Sequence, residues 1–434
     1  MFVSAVDDAY KADDNNYITL LQELTRMTAS KNAPKTDYFT VLISFLSFVV
    51  LGLPGAMLGI AWASDKWPSI QKTFNLGLDA VGALFLAFTI GHFLASFIGG
   101  RLYGRFNSST LFLVGSLLSA AALAGYSVMP AWWLIVICGV LLGFGSGILN
   151  AGMNIYFAAV FNARLMNWLH ACYGIGTVIG PLLMTAILSR DGGTWQMGYV
   201  IGAGAYVLVG LLFFLTRSRW LNVGRGTREE GTDSGVSARS TLRLPLVWIS
   251  IGIFLTFTGI QGVGTQWTFP LFNKARGIDA VTAGTWLVIL QACFTIGRIF
   301  FGLTLAYFKS HMLFRFCAAM LIIATFLLII NPIPNSAFIL LAVYGFTLAP
   351  IWALMVTNVQ QRLGPLHGAN AIGFLVAAAG IGVGVFPSIA GVLADRSSLE
   401  IIPVVMFVLS ILMTVLYEIT VLRNFQSRFV PAKT

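Results

Sequence analysis

Few side chains in this sequence are equipped for chemistry, and most of those lie inside long apolar runs. Asn167, His170 and Tyr173 follow at three-residue steps. On a helix this spacing puts an amide, an imidazole and a phenol on one face. Asn150 and Asn154 stand four apart in the run before, and Gln261, Gln266 and Trp267 cluster in a later one. Gln291, Trp352 and Asn358 complete the set. Amides beside aromatic faces suit a neutral polyhydroxylated ligand, because they supply donors and acceptors to hydroxyls and a ring to its apolar face. Two cation-capable residues end one repeated pentapeptide, FTIGH at Phe88–His92 and FTIGR at Phe294–Arg298. They could bind an anionic group or act in gating. For Arg298 the expectation is that it bonds backbone carbonyls and snorkels inward, since a cation in an apolar run is normally paired.

The acids are as informative by their absence. All sixteen Asp and Glu can be assigned to tails, connections or the ends of apolar runs, with Glu418 a turn from the end of the last run, where Arg423 could pair with it. With no buried carboxylate, the titratable candidates inside apolar runs are His92 and His170, whose ordinary pKa of about 6.5 suits a proton relay. No nucleophile–base pair, phosphate-cradling loop or metal cluster occurs at recognisable spacing, so neither an enzyme nor a cofactor or metal site is expected. The four cysteines (Cys138, Cys172, Cys293, Cys317) all lie in apolar runs and read as small hydrophobes.

The elements that must position these groups follow from composition. Of 434 residues, 57% are hydrophobic and only 10% charged, with a mean hydropathy of +0.84, against about 25% charged in soluble domains. Apolar runs of about 20 residues, enough to span a bilayer core, recur throughout. The sequence reads as an all-α integral membrane protein with twelve spans, at 38–63, 79–103, 107–127, 130–158, 164–189, 195–216, 245–271, 281–307, 311–331, 336–361, 366–393 and 401–422. A Gly-, Ser-, Thr- and Arg-rich connection between spans six and seven has the composition of a flexible linker. The expected organisation is a cytoplasmic tail (1–37), a six-helix bundle (38–216), a linker (217–244), a second bundle (245–425) and a C-terminal tail (426–434). The acidic start argues against a cleavable signal peptide, and residues 17–27 could form a surface amphipathic helix. Nineteen Lys and Arg lie on the side of the tails and linker and six on the other, so that side, with both termini, is expected in the cytoplasm. The net charge of +10 follows from this asymmetry and is no sign of nucleic-acid binding.

The pentapeptides are 206 residues apart, and the offset recurs. Gly174-Ile175-Gly176 with Pro181 maps onto Gly380-Ile381-Gly382 with Pro387, and Gly139 maps onto Gly345. Three span pairs in one register imply two parallel six-helix repeats, with a site between them near the midplane. Trp267 and Trp286 are expected in an interfacial aromatic belt.

With this duplication the sequence resembles the major facilitator superfamily over residues 38–425. GGRLYGRFN (99–107) resembles its Gly- and Arg-rich cytoplasmic loop, with Arg101 where an Asp is common and Arg105 beyond it. GFGSGILNAGMN (143–154), NWLHACYGIGTVIGP (167–181), GIQGVGTQW (259–267), GRIFFG (297–302) and GFTLAPIW (345–352) follow the order of the fucose-permease-like and glucose-transporter-like branch. The resemblance implies a transporter that rocks two halves around a central site. It also implies that Asn150 and Gln261 stand where acids of the branch often do, so carboxylate-based proton coupling is expected to be lost there. The expected substrate is a small polar solute, sugar or sugar-like, moved by uniport or with coupling through His170 or His92. Export of an amphipathic drug or lipid is the rival reading, kept open by 34 Phe. Expected binding residues are Asn150, Asn154, Asn167, His170, Tyr173, Gln261, Gln291, Trp352 and Asn358. His92, Arg298, Arg101 and Arg105 are expected in gating or coupling. The expected partners are a small-molecule substrate and the lipid bilayer, with a proton or sodium ion as coupling candidates, for a monomer of the cell membrane.

Overall fold

The computed structural model describes residues 37–161, 163–221, 238–304, 307–332 and 337–422. The tail in which residues 17–27 could form a helix, most of the linker and the C-terminal tail lie outside the described residues. The chain divides into a unit ending at Val41 and a second from Leu42 onward. Of the first, only 37–41 is described; the architecture is that of the second.

Twelve helices long and apolar enough to cross a membrane are present among the described residues. The helices that form them are α1 (Tyr38–Ala61), α2 (Val81–Arg105), α3 (Ser108–Val128), α4 (Trp132–Val160), α5 (Ala163–Leu188), α6 (Trp195–Leu215), α7 (Pro245–Pro270), α8 (Ala280–Thr304), α9 (Ser310–Ile330), α10 (Ala337–Leu348), α11 (Ile351–Arg396) and α12 (Ile401–Leu422), with α10 and the start of α11 together making the tenth span (Ala337–Val359) and the rest of α11 the eleventh (Asn370–Arg396). Every described regular element is helical, as a chain in lipid requires when each backbone donor must be satisfied within its own segment. Local signals set the ends. Pro245 opens α7, where its missing N–H costs nothing. Asn331 caps α9 in the left-handed region (φ 48°), which Asn tolerates better than most residues. One boundary differs from expectation. Span ten breaks at Ala349–Pro350, and helical hydrogen bonding then runs from Ile351 through the connection into span eleven.

The same helix contacts recur in both halves. The pair α2–α4 is matched by α8–α10, and α3–α6 by α9–α12. The register is the 206-residue offset of the sequence. A Cβ on Gly176 would strike the Val49 carbonyl, and one on Gly382 the Leu255 carbonyl. Likewise Gly91 lies on the Val140 carbonyl and Gly297 on that of Phe346. Each member of the second pair is its partner plus 206. Bare glycines at these crossings let backbones touch where lipid offers no hydrophobic drive for association.

Large apolar side chains such as Leu94, Leu208, Leu211, Ile323 and Val408 are exposed on outward helix faces, as suits a protein solvated by lipid. Trp267 and Trp286 do not belong to such a face. Trp267 is 1% exposed, with its indole N–H donating to the Pro387 carbonyl at 3.0 Å, and Trp286 packs edge-on against Phe272 at 4.9 Å. Depth along a span is readable in sequence, but the direction a ring faces is set by neighbouring helices. Glu418 is paired with Arg315 of α9 by two 2.7 Å hydrogen bonds, a partner from another helix where a neighbour in sequence was expected. The linker is anchored at both described ends. Trp220 is buried against Phe112, Tyr156 and Phe213, and Thr241 lies 2.9 Å from His367.

A Gly176→Leu substitution is expected to destabilise the protein, because overpacking a close helix crossing costs about 1–3 kcal/mol or more. Gly204→Leu, where a side chain meets open space, is expected to be neutral. Detergent-solubilised melting temperatures check the contrast.

Candidate functional site

The two halves are tied together at the end that carries the connection between α1 and α2, the first-loop end; the opposite end carries the linker. Between α1 and α7, the Asn273 side-chain oxygen accepts from the Ser64 hydroxyl (3.0 Å) and the Asp65 N–H (3.2 Å). Gln266 donates to the Gly55 carbonyl at 2.9 Å, and Trp67 stacks on Phe269 at 5.8 Å. Outside the spans, Lys274 donates to Gln71 (3.0 Å) and Lys66 approaches Asp279 (3.6 Å). Desolvation works against ionisation of Asp279, yet the N–H groups of Thr282 and Val281, with the Lys66 ammonium, hold its carboxyl below the ordinary 3.8. The exposed pair is a weak tie. Asp395 accepts from the Leu78 N–H at 2.8 Å, and Ser388 donates to the Gly82 carbonyl at 3.2 Å.

From this end two seams run into the protein. Along α5–α8, Thr185 lies on Gly284 and Thr295 on Gly174. Along α2–α11, Thr89 lies on Gly384. Thr89 and Thr295 are the second letters of FTIGH and FTIGR; Gly174 opens the first repeated Gly-Ile-Gly motif and Gly384 stands two residues after the second. Sequence reasoning assigns neither threonine a role, although the shared 206-residue offset is the signal that joins them.

One turn beyond the Thr89 contact, α11 borders open space. A Cβ on Gly380 would meet nothing within 4 Å, although its repeat partner Gly174 is covered by Thr295. Three residues past each threonine stand His92 and Arg298. His170 is exposed, yet Phe48 lies edge-on to it at 5.8 Å, and Arg298 is within electrostatic reach across the seam. Exposure with neighbours on two sides is what a cleft wall gives and a lipid face does not. Tyr173, half-buried, is also within reach of Arg298. Gly174 on Thr295 thus closes the seam, and His170, Tyr173 and Arg298 gather directly beneath it. Arg298 lies 4.2 Å from the Phe294 ring centre, a cation–π contact. The carbonyl bonds expected for it are not found among the described residues.

The other sequence candidates divide. Asn154 donates to both the backbone oxygen (2.8 Å) and the side-chain oxygen (3.0 Å) of Asn150, so half of that amide pair is engaged within α4. Gln261 is half-buried, one turn from Thr265, which faces Gly59 across the α1–α7 seam. Gln291 is 2% exposed and donates to Thr265 at 3.1 Å, so it is sealed within the protein here. Trp352 is half-buried, its ring 5.0 Å from Phe254 and 6.2 Å from Phe257. Asn358 sits apart, in a small recess with Arg362 and Tyr417. Arg105 is exposed beside Phe106, and the side chains of Asn167 and Arg101 lie outside what the structure describes.

Gly174→Leu is expected to wedge the α5–α8 seam apart, because its Cβ would already sit 2.7 Å from the Thr295 hydroxyl. A single cysteine at Ser64 then becomes more reactive to a membrane-impermeant maleimide, while the same label in the Gly204→Leu background is unchanged.

The sequence matches the Major Facilitator Superfamily over residues 40–369. It is 21% identical over 408 residues to the bypass of stop codon protein 6 of Saccharomyces cerevisiae, covering 86% of this chain and 80% of that one. It is 24% identical over 336 residues to the glucose/mannose transporter GlcP of Bacillus subtilis, covering 73% and 79%. The crystal structure of a point mutant of the nucleoside transporter NupG has the same fold, with a TM-score of 0.72 at 14% identity, covering 89% of this chain and 99% of that one. Twelve membrane-length helices, a register repeated at 206 residues and this profile agree: the chain belongs to the Major Facilitator Superfamily and is a multi-pass membrane transporter, not an enzyme.

Proposed function

We propose that the protein carries a small polyhydroxylated solute, a sugar or sugar-like molecule, across the plasma membrane by alternating access. The linker end, with both termini, faces the cytoplasm on the basic-residue asymmetry, and the two bundles at 38–216 and 245–425 are the rocking bodies. The conformation described is then closed to the exterior and open to the cytoplasm. One observation carries this reading: both inter-half seams are shut from the first-loop end down to Thr89 and Thr295, and polar side chains gather where they stop. A seam closed at one end over a polar cluster is one half of an alternating-access cycle.

The substrate class is supported by the donor set. His170, Tyr173, Asn150 and Gln261 offer hydrogen-bonding groups, Asn154 keeps its side-chain oxygen as an acceptor, and Trp352 offers an aromatic face. The names of the glucose/mannose and nucleoside transporters point the same way, for those proteins. With amides at Asn150 and Gln261, transport runs as uniport or couples through His170 or His92. The working unit is a monomer.

A thermal-shift screen of purified protein against sugars, nucleosides, amino acids and drugs tests the class, since a ligand that binds only the folded state raises its melting temperature. In proteoliposomes, His170→Ala is expected to weaken affinity for the best hit by about tenfold, the cost of an unpaired hydrogen-bonding group. Asn358→Ala is expected to leave it unchanged. Unchanged affinity in His170→Ala removes the site; a screen answered only by amphipathic drugs removes the substrate class.

A further inference from the structure

The cluster beneath the α5–α8 seam contains a charge without a counter-charge. Arg298 is a permanent cation within a membrane-spanning helix, with the Phe294 ring at 4.2 Å and Tyr173 and His170 within electrostatic reach. Among the described residues it has no hydrogen-bond or ion-pair partner, and no carboxylate approaches it. A second guanidinium shows what is missing. Arg276, 8% exposed, donates through Nε (2.9 Å) and Nη2 (2.7 Å) to the two oxygens of Glu400, and through Nη2 to the Leu328 carbonyl at 2.7 Å. Cations in such surroundings are normally paired. At Arg298 the fork of five N–H donors is left to whatever enters the cleft.

The geometry around it selects the shape of the missing partner. Gln291, Thr295 and Arg298 follow at steps of four and three on α8, so they share one face. Gln291 is bound to Thr265, and the Thr295 hydroxyl donates to the Gln291 carbonyl at 2.9 Å while its side chain caps Gly174. The guanidinium is therefore the first free donor below the closed seam. Tyr173 and His170 stand across from it on α5, at hydroxyl-binding rather than charge-compensating positions.

We propose that Arg298 is a specificity-determining residue that binds a carboxylate of the substrate, and that the transported solute is a sugar acid, a uronate or aldonate, rather than a neutral sugar. This deepens the reading above and depends on it. The planar fork of Arg matches a carboxylate through two parallel charge-assisted hydrogen bonds, and Tyr173 and His170 take hydroxyls of the same molecule. The acid-free walls then have a positive reason: an acid there would neutralise Arg298 and repel the substrate.

The test compares matched sets by thermal shift and isothermal titration of the full-length protein at constant chloride and ionic strength. The sets are D-glucose, D-glucuronate, D-glucuronamide and D-gluconate, with D-galactose, D-galacturonate and D-galacturonamide alongside. The expected result is that an acid binds more tightly than its parent sugar and its isosteric amide by about 30-fold, the effect of leaving a buried charge unpaired. Arg298→Gln is expected to erase the difference between acid and amide, and Arg298→Lys to weaken acid binding while keeping the preference for charge. Each variant is first checked for a monodisperse gel-filtration peak. If Arg298→Gln fails to fold, the wild-type comparison of acid with amide decides alone. A neutral sugar that binds as well as its acid overturns this proposal and leaves the sugar reading standing, whereas no response to any member of the sets, with hits elsewhere in the wider screen, overturns both.

Discussion

In a bilayer, helices gain nothing hydrophobic by touching one another, so the fold depends on how closely their backbones can approach. Here that approach is made at glycines. Gly176 on the Val49 carbonyl and Gly382 on the Leu255 carbonyl hold each half together by the same device at the same register. Between halves the contacts are mixed, for Gly59 of α1 lies on the Thr265 carbonyl of α7 in the same manner. Thr295 on Gly174 and Thr89 on Gly384 bring a side chain against a bare backbone, and the ties nearer the first-loop end are single hydrogen bonds and an exposed ion pair.

Much of this was legible in the sequence because the bilayer imposes a length and a hydropathy on every span. The twelve helices lie within a few residues of their expected ends, apart from the helical continuation through the connection after span ten. The repeat was legible too, since identical small residues at one offset have few other causes. What could not be read was the direction in which side chains face. Trp267 is placed in sequence as for an interfacial belt, and yet it is enclosed against Pro387. Glu418 had Arg423 nearby in sequence and is paired with Arg315 from another helix.

The candidate site was legible by residue type but not by occupancy. Intramembrane amides are conspicuous in any apolar run, and the sequence cannot say which have already spent their hydrogen bonds. Gln291 has spent one on Thr265, and Asn154 both on Asn150, whereas Arg298 has spent none among the described residues. Its pairing was the expected outcome because isolated membrane charges are costly. The finding of an unpaired one moves attention from helix stability to the ligand.

The two pseudo-equivalent seams use equivalent threonines, Thr89 and Thr295, but not equivalent glycines. Gly174 is covered by a threonine of the facing half, while Gly380, its counterpart 206 residues later, stands open. The difference is about one helical turn, roughly 5.4 Å. A duplicated scaffold could have offered a two-fold symmetric chamber, in which a ligand fits equally well head-first or tail-first. The staggered ceiling removes that degeneracy, as does the choice of imidazole on one side and guanidinium on the other. A chiral solute entering such a chamber has one preferred heading, and a carrier that fixes the heading of its cargo can release it from the opposite face without first letting it tumble.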